Sequence, residues 1–430
     1  MKAYCPEEFF SRSELDTVQK TRLATTLERA ARSEFYGRRF AETGIRPETI
    51  TSAADITKLP FTTKDDLRSA YPGRMLTRPV SDMVRLHASS GTTGSATVIY
   101  YTQNDIDSWA DLMARCMHMI GIRAEDTFQN MSGYGLFTGG LGIHYGAERL
   151  GCLTIPAGAG NSKRQLKLLE DFQVSAIHVI PSYALHLGTV KDELGYGPDR
   201  LKVRVALIGA EPHTEAIRRR IEDVWGLKAY NSYGLSEMNG PGVAFECLEQ
   251  SGMHIWEDAY LAEIVHPETG QPLPDGEVGE LVITTLCREG MPLIRYRTKD
   301  LTRFIPGDCA CGRSHRRLDR IMGRADDMII LKGVNIYPMQ VEQVLMSIPE
   351  VGQNYLIVLE RDGYLDQMRV KVEVKEEYFV EDMRELKSLQ SRISSRLRDE
   401  ILITARIDLV EQNSLPKSEG KAQRVLDLRE

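Results

Sequence analysis

The chain has 430 residues, 42% hydrophobic and 27% charged, with a formal net charge of −7. That length suits two or three domains with a core that needs no staples, and the mixed, mildly acidic charge without a basic tract excludes nucleic acid as a bulk partner. No run of about 18 apolar residues occurs and no apolar signal core follows Met1, so no membrane partner is expected and the chain reads as soluble and cytoplasmic. The seven cysteines are scattered and odd in number, which fits a reducing compartment with some of them on a metal.

Residues 12–43 read as helices with apolar periodicity, and Thr62-Thr63-Lys64 after Pro60 reads as a capped helix start. Two strand-like runs, 83–87 and 98–101, then flank Ser89-Ser90-Gly91-Thr92-Thr93-Gly94-Ser95-Ala96-Thr97. Small residues let the backbone turn tightly and approach a ligand, and hydroxyls with free N–H groups make a phosphate cradle. No Gly-Lys-Ser/Thr closes the loop, so it is not a Walker loop. A plain Ser/Thr/Gly hairpin loop is the alternative.

From 83 to 240, short apolar runs at 127–131, 153–156, 176–180, 203–208 and 228–232 alternate with amphipathic stretches such as 165–172 and 215–225. This alternation predicts a parallel, helix-covered sheet, whose ligands sit at the carboxyl ends of the strands. Gly209-Ala210-Glu211-Pro212 and Tyr233-Gly234-Leu235-Ser236-Glu237 fall at those ends. Residues 259–305 read as β-rich. After Gly323-Arg324-Ala325-Asp326-Asp327 the pattern becomes strand (328–331), helix (339–348), two strands (354–360 and 368–374), helix (381–400) and strand (405–410), then a polar tail from 413. The expected fold class is α/β: a large N-terminal domain over 1–325 with a parallel helix-covered sheet and a β-rich part, and a small C-terminal α+β domain over 326–430.

In this order the motifs resemble those of the adenylate-forming superfamily, and closely its phenylacetate–CoA ligase branch, from about Phe61 to Lys421. The resemblance makes Ser89, Ser90, Gly91, Thr92, Thr93 and Gly94 the phosphate loop, although Ser95-Ala96-Thr97 stands where the family usually has Lys-Pro-Thr. It places Gly209, Ala210, Glu211 and Pro212 along adenine and the acyl pocket, and Tyr233 and Gly234 beside adenine. Glu237 becomes the Mg²⁺ ligand, a role that suits one carboxylate sharing the ion with phosphate oxygens. Asp300, in Tyr296-Arg297-Thr298-Lys299-Asp300, resembles the acid that accepts the ribose hydroxyls. Arg324 matches a nucleotide-contacting arginine, and Asp326 the hinge about which a mobile small domain turns. Lys421 resembles the catalytic lysine, whose ammonium would hold the acid's carboxylate and the nucleotide 5′-oxygen together as charge grows. Read singly, each motif is equally a surface acid, a turn or a solvated lysine.

Tyr134-Gly135-Leu136-Phe137-Thr138-Gly139-Gly140 is similar to the acid pocket of the aryl-acid branch. Its aromatics and glycines give a flat apolar wall suited to a ring, with Tyr134, Phe137, Gly139 and Gly140 as the candidate lining. The alternative is a Gly-rich helix start with buried aromatics; His144 and Tyr145 read as packing. Cys309-Ala310-Cys311, with Cys247 and His254 from an earlier loop, would supply a Cys₃His tetrahedron for structural Zn²⁺, a pattern frequent in this branch. His315 is a rival ligand, and free cysteines are the alternative.

The resemblance implies an ATP-dependent aryl-acid–CoA ligase, phenylacetate being the foremost acid, working with ATP–Mg²⁺, coenzyme A and structural Zn²⁺, in a branch where homodimers are frequent. The alternatives are transfer of the adenylated acid to a non-CoA acceptor, and a nucleotide-binding regulatory protein without turnover.

Overall fold

Side chains at the helix starts fix where the first elements begin. Ser11 and Thr63 each accept from a backbone N–H three residues on, while Glu14 and Asp66 reach back, closing capping boxes at α1 (Arg12–Ala30) and α3 (Lys64–Ser69); α2 (Glu34–Thr43) lies between them. The computed structural model describes residues 3–89, 97–136, 138–331, 334–362, 365–379, 383–415 and 424–429.

The chain continues through β1 (Arg85–Ser89), β2 (Thr97–Tyr101), α4 (Gln103–Met119), β3 (Thr127–Asn130), α5 (Thr138–Leu150), β4 (Leu153–Ile155), α6 (Ser162–Asp171) and β5 (Ala176–Val179). Then come α7 (Pro181–Glu193), β6 (Val205–Gly209), α8 (Glu215–Trp225), β7 (Lys228–Leu235), β8 (Gly240–Glu246) and β9 (Met253–Ile255). Strands β10 (Tyr260–Val265), β11 (Gly279–Thr285), β12 (Tyr296–Thr302), β13 (Phe304–Ile305) and β14 (Arg317–Leu318) follow.

The chain divides into two units, the first made of Met1–Val179, Tyr196–Ala210 and Lys228–Ile321, the second of Ile180–Gly195, Glu211–Leu227 and Met322–Glu430. The first unit holds a nine-stranded sheet in the order β13-β14-β9-β8-β7-β6-β5-β3-β4. It is parallel from β7 to β4 and antiparallel from β7 to β13. Every residue of β5 and β6 is buried, which is why β6 reads as an unbroken apolar run and β5 as one interrupted only by His178. β10, β11 and β12 form a separate antiparallel sheet, and β1 pairs with β2 in a hairpin registered from Arg85↔Tyr101 to Ser89↔Thr97. Trp109, Tyr101, Phe128, Phe245 and Trp256 lie among the fully buried side chains of this unit's core.

In the second unit, β15 (Gly323–Arg324), β16 (Ile329–Leu331), β17 (Val334–Ile336) and α9 (Pro338–Met346) precede the long hairpin of β18 (Val351–Asp362) and β19 (Leu365–Val374), followed by α10 (Met383–Ile401), β20 (Arg406–Val410) and β21 (Val425–Asp427). α10 buries Leu389, Ile393, Leu397 and Ile401, one stripe at helical spacing. The tail read as polar contains a strand: β21 pairs in parallel with β18, its short apolar stretch completing the sheet order β20-β19-β18-β21. Among the described residues no helix is long and apolar enough to cross a membrane.

Candidate active site

Of the candidate nucleotide residues, Gly209, Ala210, Tyr233 and Gly234 lie at the carboxyl ends of the parallel strands β6 and β7 of the first unit. β6 ends at Gly209, where a Cβ would stand 2.4 Å from the Ser232 carbonyl, so only glycine lets β6 and β7 close there. Ala210 follows with φ +68°, a left-handed turn that takes the chain off the sheet. In β7, Gly234 meets the Gly240 carbonyl so closely that a Cβ would lie 1.8 Å from it. One residue earlier, the Tyr233 hydroxyl donates to Asp300 Oδ2 at 2.6 Å, bringing together two candidates 67 residues apart in the chain. Both are buried, and their bond ties β7 to β12.

Glu237 sits in the short turn Ser236–Met238. Three side chains grip this turn: Tyr101 donates to the Ser236 carbonyl at 3.2 Å, Thr138 meets the Ser236 hydroxyl at 3.2 Å, and buried Arg288 donates to the Glu237 carbonyl at 2.7 Å. Nothing in the spacing of Cys287-Arg288-Glu289-Gly290 marks Arg288 as a clamp. Ser89 ends β1, and Ser90, Gly91, Thr92, Thr93 and Gly94 lie outside the described residues, as do Phe137 and Lys421. Within the second unit, Ser182 N–H donates to Glu211 Oε1 at 2.5 Å, and Pro212 is exposed on the same turn. There too, Arg324 pairs with Asp326 through two bonds of 2.8 Å, so the candidate nucleotide arginine and the candidate hinge acid are partners.

The candidate acid wall hangs on Asn130, the last residue of β3. Its amide donates to the Gly140 carbonyl at 2.7 Å and to the Tyr134 hydroxyl at 3.1 Å, and its carbonyl accepts from Ser132 N–H at 3.1 Å. One side chain therefore fixes both ends of the wall, a role no sequence motif carried. A Cβ on Gly140 would meet the Gly133 carbonyl at 2.3 Å, and Gly139 is buried beside it in the first turn of α5. Tyr134 keeps 38% of its surface exposed. Neighbouring His178, buried against Ser132 Oγ at 2.9 Å, has its pKa pushed down to about 3 by desolvation.

At the antiparallel end of the large sheet, Cys247, His254, Cys309 and Cys311 gather with their ligand atoms all within 4.8 Å of one another. Cys247 and Cys309 sulfurs are 3.7 Å apart, close to the edge of a tetrahedron with about 2.3 Å legs, about 3.8 Å. His254 Nδ1–H donates to the His315 carbonyl at 2.8 Å, leaving Nε2 to face Cys311 Sγ at 3.3 Å. Burial opposes charge on His254, yet its bonds with Cys309 and Cys311 carry its pKa up to about 9. Cys311 is held low by its bond with Cys247, and that same bond with burial pushes Cys247 up. His315 stands outside the cluster: Nδ1 accepts from Glu257 N–H at 3.0 Å and Nε2 donates to the Glu7 carbonyl at 2.9 Å, which uses both ring nitrogens. The donor set and its spacing suit a tetrahedral ion of the Zn²⁺ type.

The AMP-binding enzyme family matches residues 40–287, and its C-terminal domain family matches 333–429. The phenylacetate–CoA ligase of Thermus thermophilus is 45% identical over 442 aligned residues covering 99% of both chains, and that of Escherichia coli is 45% identical over 99% of this chain and 97% of its own. The chain belongs to the phenylacetate–CoA ligase family of AMP-binding enzymes. A crystal structure of 2-hydroxyisobutyryl-CoA ligase in the postadenylation state shares the fold with a TM-score of 0.92 at 30% identity, over 98% of this chain and 91% of that one. This ligase-family chain thus has the adenylate-forming fold, an N-terminal α/β part with mixed sheets and a smaller C-terminal part.

Proposed function

We propose that the chain activates phenylacetate with ATP and passes it to coenzyme A, giving phenylacetyl-CoA, AMP and pyrophosphate through an acyl-adenylate. The observation that carries this is identity of 43–46% over 99% of this chain to four phenylacetate–CoA ligases. The buried Tyr233–Asp300 bond supports it, since an aromatic ring beside a fixed carboxylate suits a nucleoside.

In this reading the acid's carboxylate attacks the α-phosphate, and pyrophosphate leaves toward the loop of Ser89, Ser90, Gly91, Thr92, Thr93 and Gly94. Glu237 would hold Mg²⁺, which would supply positive charge beside the phosphates. Gly209, Ala210, Glu211, Pro212, Tyr233 and Gly234 shape the adenine side, Asp300 takes the ribose, and Arg324 contacts the nucleotide. Tyr134, Phe137, Gly139 and Gly140 form the wall for the ring. Lys421 bridges carboxylate and 5′-oxygen during adenylation. The segment 326–430 then turns about Asp326, withdrawing that lysine so that the CoA thiol attacks the acyl carbon and AMP leaves. For the hinge, the Arg324–Asp326 pair must open or travel as one, because one partner is the hinge acid itself. Cys247, His254, Cys309 and Cys311 would hold a structural Zn²⁺ that ties their loops together. A cytoplasmic homodimer goes with this reading through the family resemblance.

ATP–pyrophosphate exchange and thioester formation across a panel of aryl and alkyl acids test the activity; phenylacetate should lead the panel, and exchange independent of aryl acids would overturn the reading. Metal analysis should find near-stoichiometric zinc in the native chain and little in Cys309→Ser.

A further inference from the structure

His87 lies in β1, two residues before Ser89, and belongs to none of the motifs above. It is buried, and its Nδ1 is 3.0 Å from the Leu136 carbonyl. A carbonyl only accepts, so Nδ1 carries the proton. The same carbonyl accepts from Ala88 N–H at 3.0 Å. Two donors on the strand entering the phosphate loop therefore converge on one oxygen in the middle of the acid wall.

Among the described residues no other hydrogen bond reaches that oxygen. Leu136 is 62% exposed, and the preceding Gly135 has φ +129°, a backbone conformation that favours glycine. His87 itself cannot drift. Its ring stands edge-on to Tyr101 at 5.6 Å and to Trp109 at 5.8 Å, and these two rings stack on each other. Trp109 is anchored by its N–H to the Pro241 carbonyl at 2.9 Å, and Tyr101 by its hydroxyl to the Ser236 carbonyl, next to Glu237. Burial, with Arg85 nearby, keeps the imidazole neutral even though its bond to Leu136 favours the proton. The second nitrogen, Nε2, has no hydrogen-bond partner among the described residues, so burying this ring is a cost that simple packing would avoid with leucine or phenylalanine.

We propose that His87 is a positioning residue for aryl-acid selection: its Nδ1–H pins the Leu136 carbonyl, setting the acid wall against the strand that leads into the phosphate loop. The proposal rests on the ligase reading of the site. Its consequence is that the acid wall takes its position from β1, so loosening His87 changes how the acid is held while ATP recognition stays.

The test compares His87→Leu, His87→Asn and His87→Gln in acid-dependent ATP–pyrophosphate exchange. Losing one hydrogen bond of ordinary strength should raise the phenylacetate KM of His87→Leu about fivefold. The KM for ATP should move less than twofold, and discrimination between phenylacetate and longer or bulkier acids should narrow. The Asn amide reaches where Nδ1–H was, so His87→Asn should restore the acid KM; Gln carries its donor one bond further and should not. A purely structural role would lower thermal stability and active fraction equally in all variants without splitting the two KM values. Unchanged acid KM in folded His87→Leu overturns the proposal. Should that variant not fold, equal acid KM in His87→Asn and His87→Gln overturns it instead. Wild-type protein without aryl-acid-dependent exchange would sink the ligase reading, a separate result.

Discussion

At the antiparallel edge of the large sheet, the cysteine–histidine cluster is accompanied by the buried ion pairs Arg313 with Glu8 and Arg115 with Asp258, and by buried Glu257 held by the partly exposed Arg12 and Arg316. In the parallel half of the same sheet, β6, β7 and the first turn of α5 carry Gly209, Gly234 and Gly140, each pressed against a backbone carbonyl, and the loop leaving β3 exposes Tyr134 and Leu136. Charge and side-chain bulk immobilise the first region. The second is positioned by backbone contacts that only glycine permits, with a few polar pins. A region that binds and releases ligands needs that economy of clamps, whereas one that only holds loops together does not.

The sharpest way to break this contrast is Glu8→Ala, which strands a buried guanidinium and should cost about 3–5 kcal/mol in urea-induced unfolding. Turnover per folded molecule should stay near wild type; a large loss of turnover would mean that the two regions are coupled. Lys421→Ala should do the reverse, lowering adenylation on the order of a hundred- to a thousandfold with little change in melting temperature. Conversion of preformed acyl-adenylate and CoA should persist, and equal loss in both half-reactions would remove Lys421 from its role. Asp300→Ala removes a charged acceptor and should raise the ATP KM about ten- to a hundredfold. An unchanged value would end its assignment to the ribose.

The smallest effect concerns pH. His178 has a folded pKa of about 3, below the ordinary value of about 6.5 kept in the unfolded chain. As pH falls below that ordinary value, the unfolded chain takes up a proton that the fold refuses, so stability falls from about pH 6.5 toward 3. At pH 5 the loss is about 2 kcal/mol, at 1.36 kcal/mol per unit. His178→Gln should flatten this slope between pH 7 and 5, and an identical slope would show that other groups carry it.

Much of this architecture could be read from the chain alone. The apolar runs at β5 and β6, and the capped helix start at Thr63, are local signals that local physics decodes. Tyr233 and Asp300 were both legible as site candidates, but their bond was not. Asn130 as the wall's anchor, Arg288 as the clamp on the Glu237 turn and the Glu8–Arg313 pair join residues whose separation leaves no periodic trace. His315 illustrates the same gap. As a residue type it rivals His254 for a metal, and only the backbone on either side of its ring assigns it to packing. The strand at Val425–Asp427 was missed because its two apolar residues are too few to stand out in a polar tail.

The opening segment has a practical bearing through Glu7 and Glu8. A shortened version beginning after residue 10 would take away the carbonyl that receives His315 and the carboxylate that neutralises Arg313. Both residues flank the Cys311 loop, so the damage from such trimming would surface some three hundred positions downstream, as a frayed cysteine loop rather than a ragged start.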